Sequence, residues 1–85
     1  MNNKKLLVVF TSYYFGDKAD KILTELSVPH QLMATPSELN DMCGLSIQID
    51  LNTVEQVQTI LKEHKISTSG LFWYEKGKPV LAYKD

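Results

Sequence analysis

Few side chains in this sequence could do chemistry. Cys43 is the single cysteine and stands between Met42 and Gly44. An ionised thiol is a nucleophile, and a neighbouring glycine lets a ligand or another backbone approach closely. The competing reading is a small buried hydrophobe, the usual condition of an unpaired cysteine. His30 and His64 lie far apart in the chain. With one cysteine they make no metal-ligand spacing, so neither a metal nor a cofactor is expected. His30 reads as a strand residue on a partly wet face, and His64 as a helix C-terminal residue. Glu38 and Asp41 share a short exposed helix, where a cap and a solvated charge account for them without acid–base catalysis. No constellation for a stand-alone enzyme can be read from these residues.

The neighbourhood of Cys43 does not activate it. The C-terminal end of a helix carries partial negative charge, and Asp41 adds a full one. A nucleophilic Cys43 needs a cation brought by the fold, a dimer mate or a partner, with His30 and His64 as candidates. Two aromatic clusters, Tyr13-Tyr14-Phe15 and Phe72-Trp73-Tyr74, raise the question of base stacking. The alternating strand Ser46-Ile47-Gln48-Ile49 offers no aromatic platform, and the net charge of −1 gives no electrostatic hold on nucleic acid or a membrane surface. Core packing or a subunit contact suits the aromatics better.

The elements that must position Cys43 follow from periodicity. Leu6 to Phe10 is an unbroken apolar run, the pattern of a central strand buried on both faces. Tyr13 to Gly16 breaks it. Ala19, Ile22, Leu23 and Leu26 fall at helical spacing and predict an amphipathic helix from about Gly16 to Ser27, ended by Val28-Pro29. His30 to Ala34 is a second strand. Thr35-Pro36-Ser37-Glu38 is a helix start in which Thr35 caps, Pro36 takes the first helical position and Glu38 completes a capping box. That helix spans about two turns, because Gly44 supplies its terminating residue.

Leu45, Ile47 and Ile49 alternate with polar residues and predict a half-buried strand. Asn52-Thr53-Val54-Glu55 opens a further helix, whose apolar stripe is Val54, Val57, Ile60 and Leu61. Ser67 to Gly70 reads as a loop, Leu71 to Tyr74 and Pro79 to Tyr83 as a hairpin. The order predicts an α+β fold of the ferredoxin-like, split β-α-β kind: an antiparallel sheet with two helices on one face plus a C-terminal hairpin arm. The far side of the doubly apolar first strand needs cover, from the aromatic hairpin or from a second subunit.

The 85 residues suit one domain, 1–85, with an ordinary apolar share of 44% and charged share of 22%. A core this thin gains from a homodimer interface. The lone cysteine forms no intramolecular disulfide, which makes the cytoplasm the default compartment. The opening Met1 to Phe10 only faintly imitates a signal peptide, and no segment approaches membrane-spanning length.

The stretch Thr35-Pro36-Ser37-Glu38-Leu39-Asn40-Asp41-Met42-Cys43-Gly44-Leu45, taken whole, resembles the Thr-Pro…Cys-Gly signature of the selenium/sulfur carrier-like family, small bacterial domains of unknown function. The resemblance covers Leu6 through about Phe72. It implies a carrier that holds sulfur or selenium on Cys43 as a persulfide-type adduct and exchanges it with a donor or acceptor protein. Gly44 would give access, and Thr35 and Pro36 would fix the presenting helix. Asn40-Asp41-Met42 departs from the small hydroxyl residues typical of that place. The alternative is a non-catalytic interaction or small-ligand regulatory module in which Cys43 is structural.

Overall fold

Five consecutive apolar residues have one stable home in a small domain, the middle of a sheet, and β1 (Lys5–Phe10) occupies it. A computed structural model of the chain describes residues 5–39, 44–75 and 77–83. The elements in chain order are β1, α1 (Tyr13–Glu25), β2 (Gln31–Ala34), a 3-10 turn (Ser37–Leu39), β3 (Leu45–Asp50), a second 3-10 turn (Leu51–Thr53), α2 (Val54–Glu63), β4 (Thr68–Glu75) and β5 (Lys78–Ala82). The strands form one five-stranded sheet in the order β2-β3-β1-β4-β5, and every neighbouring pair is antiparallel. The α+β class with an antiparallel sheet and two helices is thus as expected.

Side chains alternate across β1. Leu6, Val8 and Phe10 join a core cluster with Ala19 and Leu23 of α1, Val57, Ile60 and Leu61 of α2, and Ile47 and Ile49 of β3. Leu7 and Val9 point the other way and are equally buried. Their cover comes from within the chain. Phe72 stands opposite Leu7 in the ladder, as the expected aromatic hairpin requires. The 3-10 turn after β2 also lies against β5. Those strands are at opposite edges of the sheet, about 19 Å apart if it were flat. The sheet therefore curls, bringing the 3-10 turn that follows β2 against β5.

Several boundaries differ from the sequence reading. Helix α1 begins three residues early, because the Ser12 hydroxyl accepts a hydrogen bond from the Phe15 amide (3.3 Å) and caps it. Tyr13 to Gly16 is its first turn, not a break. Leu26 is half exposed at the helix end instead of lying in the stripe. The helix stops before Pro29 is reached, through a left-handed Ser27 (φ 57°). Asn52 sits inside the second 3-10 turn and does not cap α2. The expected loop Ser67 to Gly70 is largely strand, since β4 pairs with β1 from Thr68 onward. Trp73 packs on the helix-side core and meets Tyr83 edge-on at 5.4 Å.

Candidate functional site

The connection between β2 and β3 is ten residues long, Thr35 to Gly44, and its two ends are tied together. The Thr35 amide donates to the Gly44 carbonyl oxygen at 2.8 Å, which extends the β2–β3 ladder by one rung. The Thr35 hydroxyl bonds the Ser46 hydroxyl at 2.6 Å, and Ser46 is fully buried. This bond replaces the expected capping role of Thr35. A buried hydroxyl needs a partner, and Thr35 supplies one at the mouth of the connection. Pro36 starts the 3-10 turn, its carbonyl oxygen accepting from the Leu39 amide at 2.9 Å. The remainder of the expected two-turn helix, residues 40–43, lies outside the described residues, and Cys43 lies there with it.

The first turn of α1 is seated on the far end of this connection. A Cβ placed on Gly44 would meet the Tyr13 hydroxyl oxygen at 2.5 Å and its ring carbon Cζ at 3.3 Å. A Cβ on Gly16 would meet the Leu45 side chain at 2.5 Å. Two glycines thus let a helix and a strand come into direct contact, one on each side of the join. Tyr13 itself is 66% exposed, as is Tyr14, and the Lys18 ammonium lies 5.9 Å from the Tyr14 ring centre. The sequence reading passed over Tyr13 at this place. The serine before it was the available signal, being the cap that draws Tyr13 into the helix.

The histidines separate. Just ahead of β2, His30 Nδ1 is hydrogen-bonded with the Val28 carbonyl oxygen and Nε2 with Asp20 Oδ1, both at 2.7 Å. It is tied to α1 at the opposite end of β2 from Thr35. The exposed His64 is the C-cap of α2. The chain then runs to Ser67, whose carbonyl oxygen accepts from the Thr11 amide (3.3 Å). His64 is thereby at the same end of the sheet as Tyr13 and Gly44.

At the other end, about 20 Å along β3 from Gly44, is a cavity of about 170 Å³. Lys5, Asp50, Gln31 and Gln48 supply its polar wall, with Pro29, His30 and Ile49 beside them.

The curled antiparallel sheet with two helical crossovers and a tied β2–β3 connection defines a small α+β domain. The chain belongs to the family described as "Putative Se/S carrier protein-like", which matches residues 5–72. No curated protein and no solved structure matches the chain. No helix among the described residues is long and apolar enough to cross a membrane.

Proposed function

We propose that the protein carries a sulfur or selenium atom on Cys43 and hands it to a partner protein. One observation carries this reading: the family match spans the whole Thr35-Pro36…Cys43-Gly44 stretch. The tied ends of the connection give it physical support. Thr35, bonded to both Gly44 and the buried Ser46, would fix where the segment leaves and rejoins the sheet. Gly44 would let the Tyr13 hydroxyl of α1 come close beside the segment, and Pro36 would set the direction of departure. Segments with close ends on a rigid sheet are common places for function.

The transfer is redox-neutral. The Cys43 thiolate attacks the outer sulfur of a donor protein's persulfide. A sulfur–sulfur bond to Cys43 forms as the donor's own breaks, and the donor leaves as a thiolate with the electron pair. An acceptor nucleophile reverses the step and releases the Cys43 thiolate. Selenium follows the same course through a selenopersulfide. A thiol that must stay reduced between cycles suits the cytoplasm. The strand order β2-β3-β1-β4, with a helix on each crossover, supports a ferredoxin-like scaffold for this carrier.

The test is intact-mass analysis after incubation with a cysteine desulfurase and cysteine. A one-sulfur gain is expected that maps to Cys43, is removed by a thiol reductant and is absent from Cys43→Ser. A wild-type chain that never gains sulfur under conditions that load other acceptors overturns the proposal. The second reading, a binding module with a structural cysteine, is favoured by the polar cavity remote from Gly44. Alkylation of Cys43 only after unfolding would point to it.

A further inference from the structure

The cavity at the Lys5–Asp50 end of the sheet has a distinctive arrangement of charge. Lys5 and Asp50 are directly opposed in the β1–β3 register, and the Lys5 ammonium pairs with Asp50 Oδ1. Gln31 and Gln48 are directly opposed in the β2–β3 register. Side chains two apart on a strand share a face, so Gln48 and Asp50 line the same side, and all four polar groups stand together there.

The ion pair leaves capacity on both partners. An ammonium has three donors and a carboxylate two oxygens, and one bond uses one of each. Both groups are reachable, with side-chain exposures of 38% and 40%. The two carboxamides make no hydrogen bond among the described residues, and each offers a donor and an acceptor. The His30 nitrogens are already engaged by Val28 and Asp20, so its ring contributes a wall and no polar contact.

A ligand that carries both charges complements the pocket, because Lys5 and Asp50 each keep unused hydrogen-bonding capacity of opposite sign. It must also be small. At about 170 Å³ the cavity is smaller than the roughly 300–1,000 Å³ typical of drug-sized ligands. We propose that this pocket binds a small zwitterionic amino acid, its carboxylate on Lys5 and its ammonium on Asp50, with the Gln31 and Gln48 amides completing the hydrogen bonds. The site lies at the opposite end of β3 from Gly44 and does not rest on the carrier reading.

The experiment is a chemical-shift titration of the isotope-labelled full chain, carrying Cys43→Ser to exclude thiol chemistry. L-alanine is the probe. N-acetyl-L-alanine, which has only the negative charge, and L-alanine methyl ester, which has only the positive one, are the controls. L-alanine should give saturable shifts at Lys5, Gln31, Gln48 and Asp50, with Kd on the order of 1 mM for a ligand of this size. Each control should bind at least about tenfold more weakly, the loss of one charge-assisted contact. Asp50→Asn and Gln48→Ala should each weaken L-alanine about tenfold while leaving the melting curve nearly unchanged. The proposal is overturned by an absence of saturation at about 50 mM, fifty times the expected constant. Shifts centred elsewhere, or equal affinity for either control, overturn it too.

Discussion

The crossover from β1 to β2 through α1 and the one from β3 to β4 through α2 leave their helices by the same motif. In α1 the Ser27 amide bonds the Thr24 carbonyl and the Val28 amide bonds the Leu23 carbonyl. In α2 the Lys65 amide bonds the Lys62 carbonyl and the Ile66 amide bonds the Leu61 carbonyl. Ser27 and Lys65 both have φ of 57°, and Val28 and Ile66 both turn back into the core. This is the Schellman arrangement, with its apolar contact, used twice. The entrances differ. Helix α2 is reached through a 3-10 turn packed at its base, whereas α1 starts directly after Ser12 and presents Tyr13 to Gly44. The shared exits serve stability. The unshared entrance of α1 meets Gly44, at the end of the β2–β3 connection.

The largest expected effect comes from the shared part. Leu23 and Leu61 sit at the same place in the two motifs and are almost completely buried. Leu23→Ala and Leu61→Ala should each lower stability by about 2–5 kcal/mol, read from urea unfolding midpoints at constant slope. Against a total on the order of 5–15 kcal/mol, either loss is severe. If one variant were nearly neutral, the two exits would not be equivalent and the comparison would fail at its strongest point.

The next effect probes the difference. The fourth residue of α1 is Gly16 and the fourth of α2 is Val57, both buried. A Cβ on Gly16 would lie 2.5 Å from Leu45 Cδ2 and 2.9 Å from Leu45 Cγ. Overpacking of this kind costs about 1–3 kcal/mol, and the helix preference for alanine over glycine returns about 1 kcal/mol. Gly16→Ala should therefore destabilise by about 1 kcal/mol. A stabilising result would mean that α1 does not need its close seat on β3, and the entrance would lose its special character.

What the sequence revealed, and what it hid, follows the same division. The central place of β1, the alternation of β3 and the whole buried stripe of α2 rest on periodicity, which needs no knowledge of partners. The entrance of α1 was hidden because its signals are tertiary. Ser12 caps without a matching Glu or Gln at the third helical position, where Phe15 stands, so no capping box announces it. Gly16 resembles a breaker until Leu45 occupies the space beside it. Thr35 and Glu38 do spell a capping box, yet the Thr35 hydroxyl goes to Ser46, eleven residues on and fully buried. The demand of a buried hydroxyl outweighed a local motif. The curl that hides Leu7 and Val9 has no local signature at all.

The smallest effect sharpens the comparison of exits. A non-glycine residue in the left-handed region costs about 1 kcal/mol, and nothing about a Schellman turn requires the side chain. Ser27→Gly and Lys65→Gly should both stabilise, each by less than about 1 kcal/mol because glycine also loses more freedom on folding. The two should not be equal. Lys65 follows directly on the last turn of α2, where a cation interacts favourably with the helix dipole by about 0.3–1 kcal/mol; α1 has no basic residue in its last turn for Ser27 to resemble. Ser27→Gly should therefore raise the melting temperature by a few degrees, roughly 4–8 °C per kcal/mol in a domain this size, and Lys65→Gly by clearly less. The gap between them should narrow when salt is added, since the dipole term is screened and the steric term is not. The reverse order, or a gap indifferent to salt, would show that the two matched exits carry different strain.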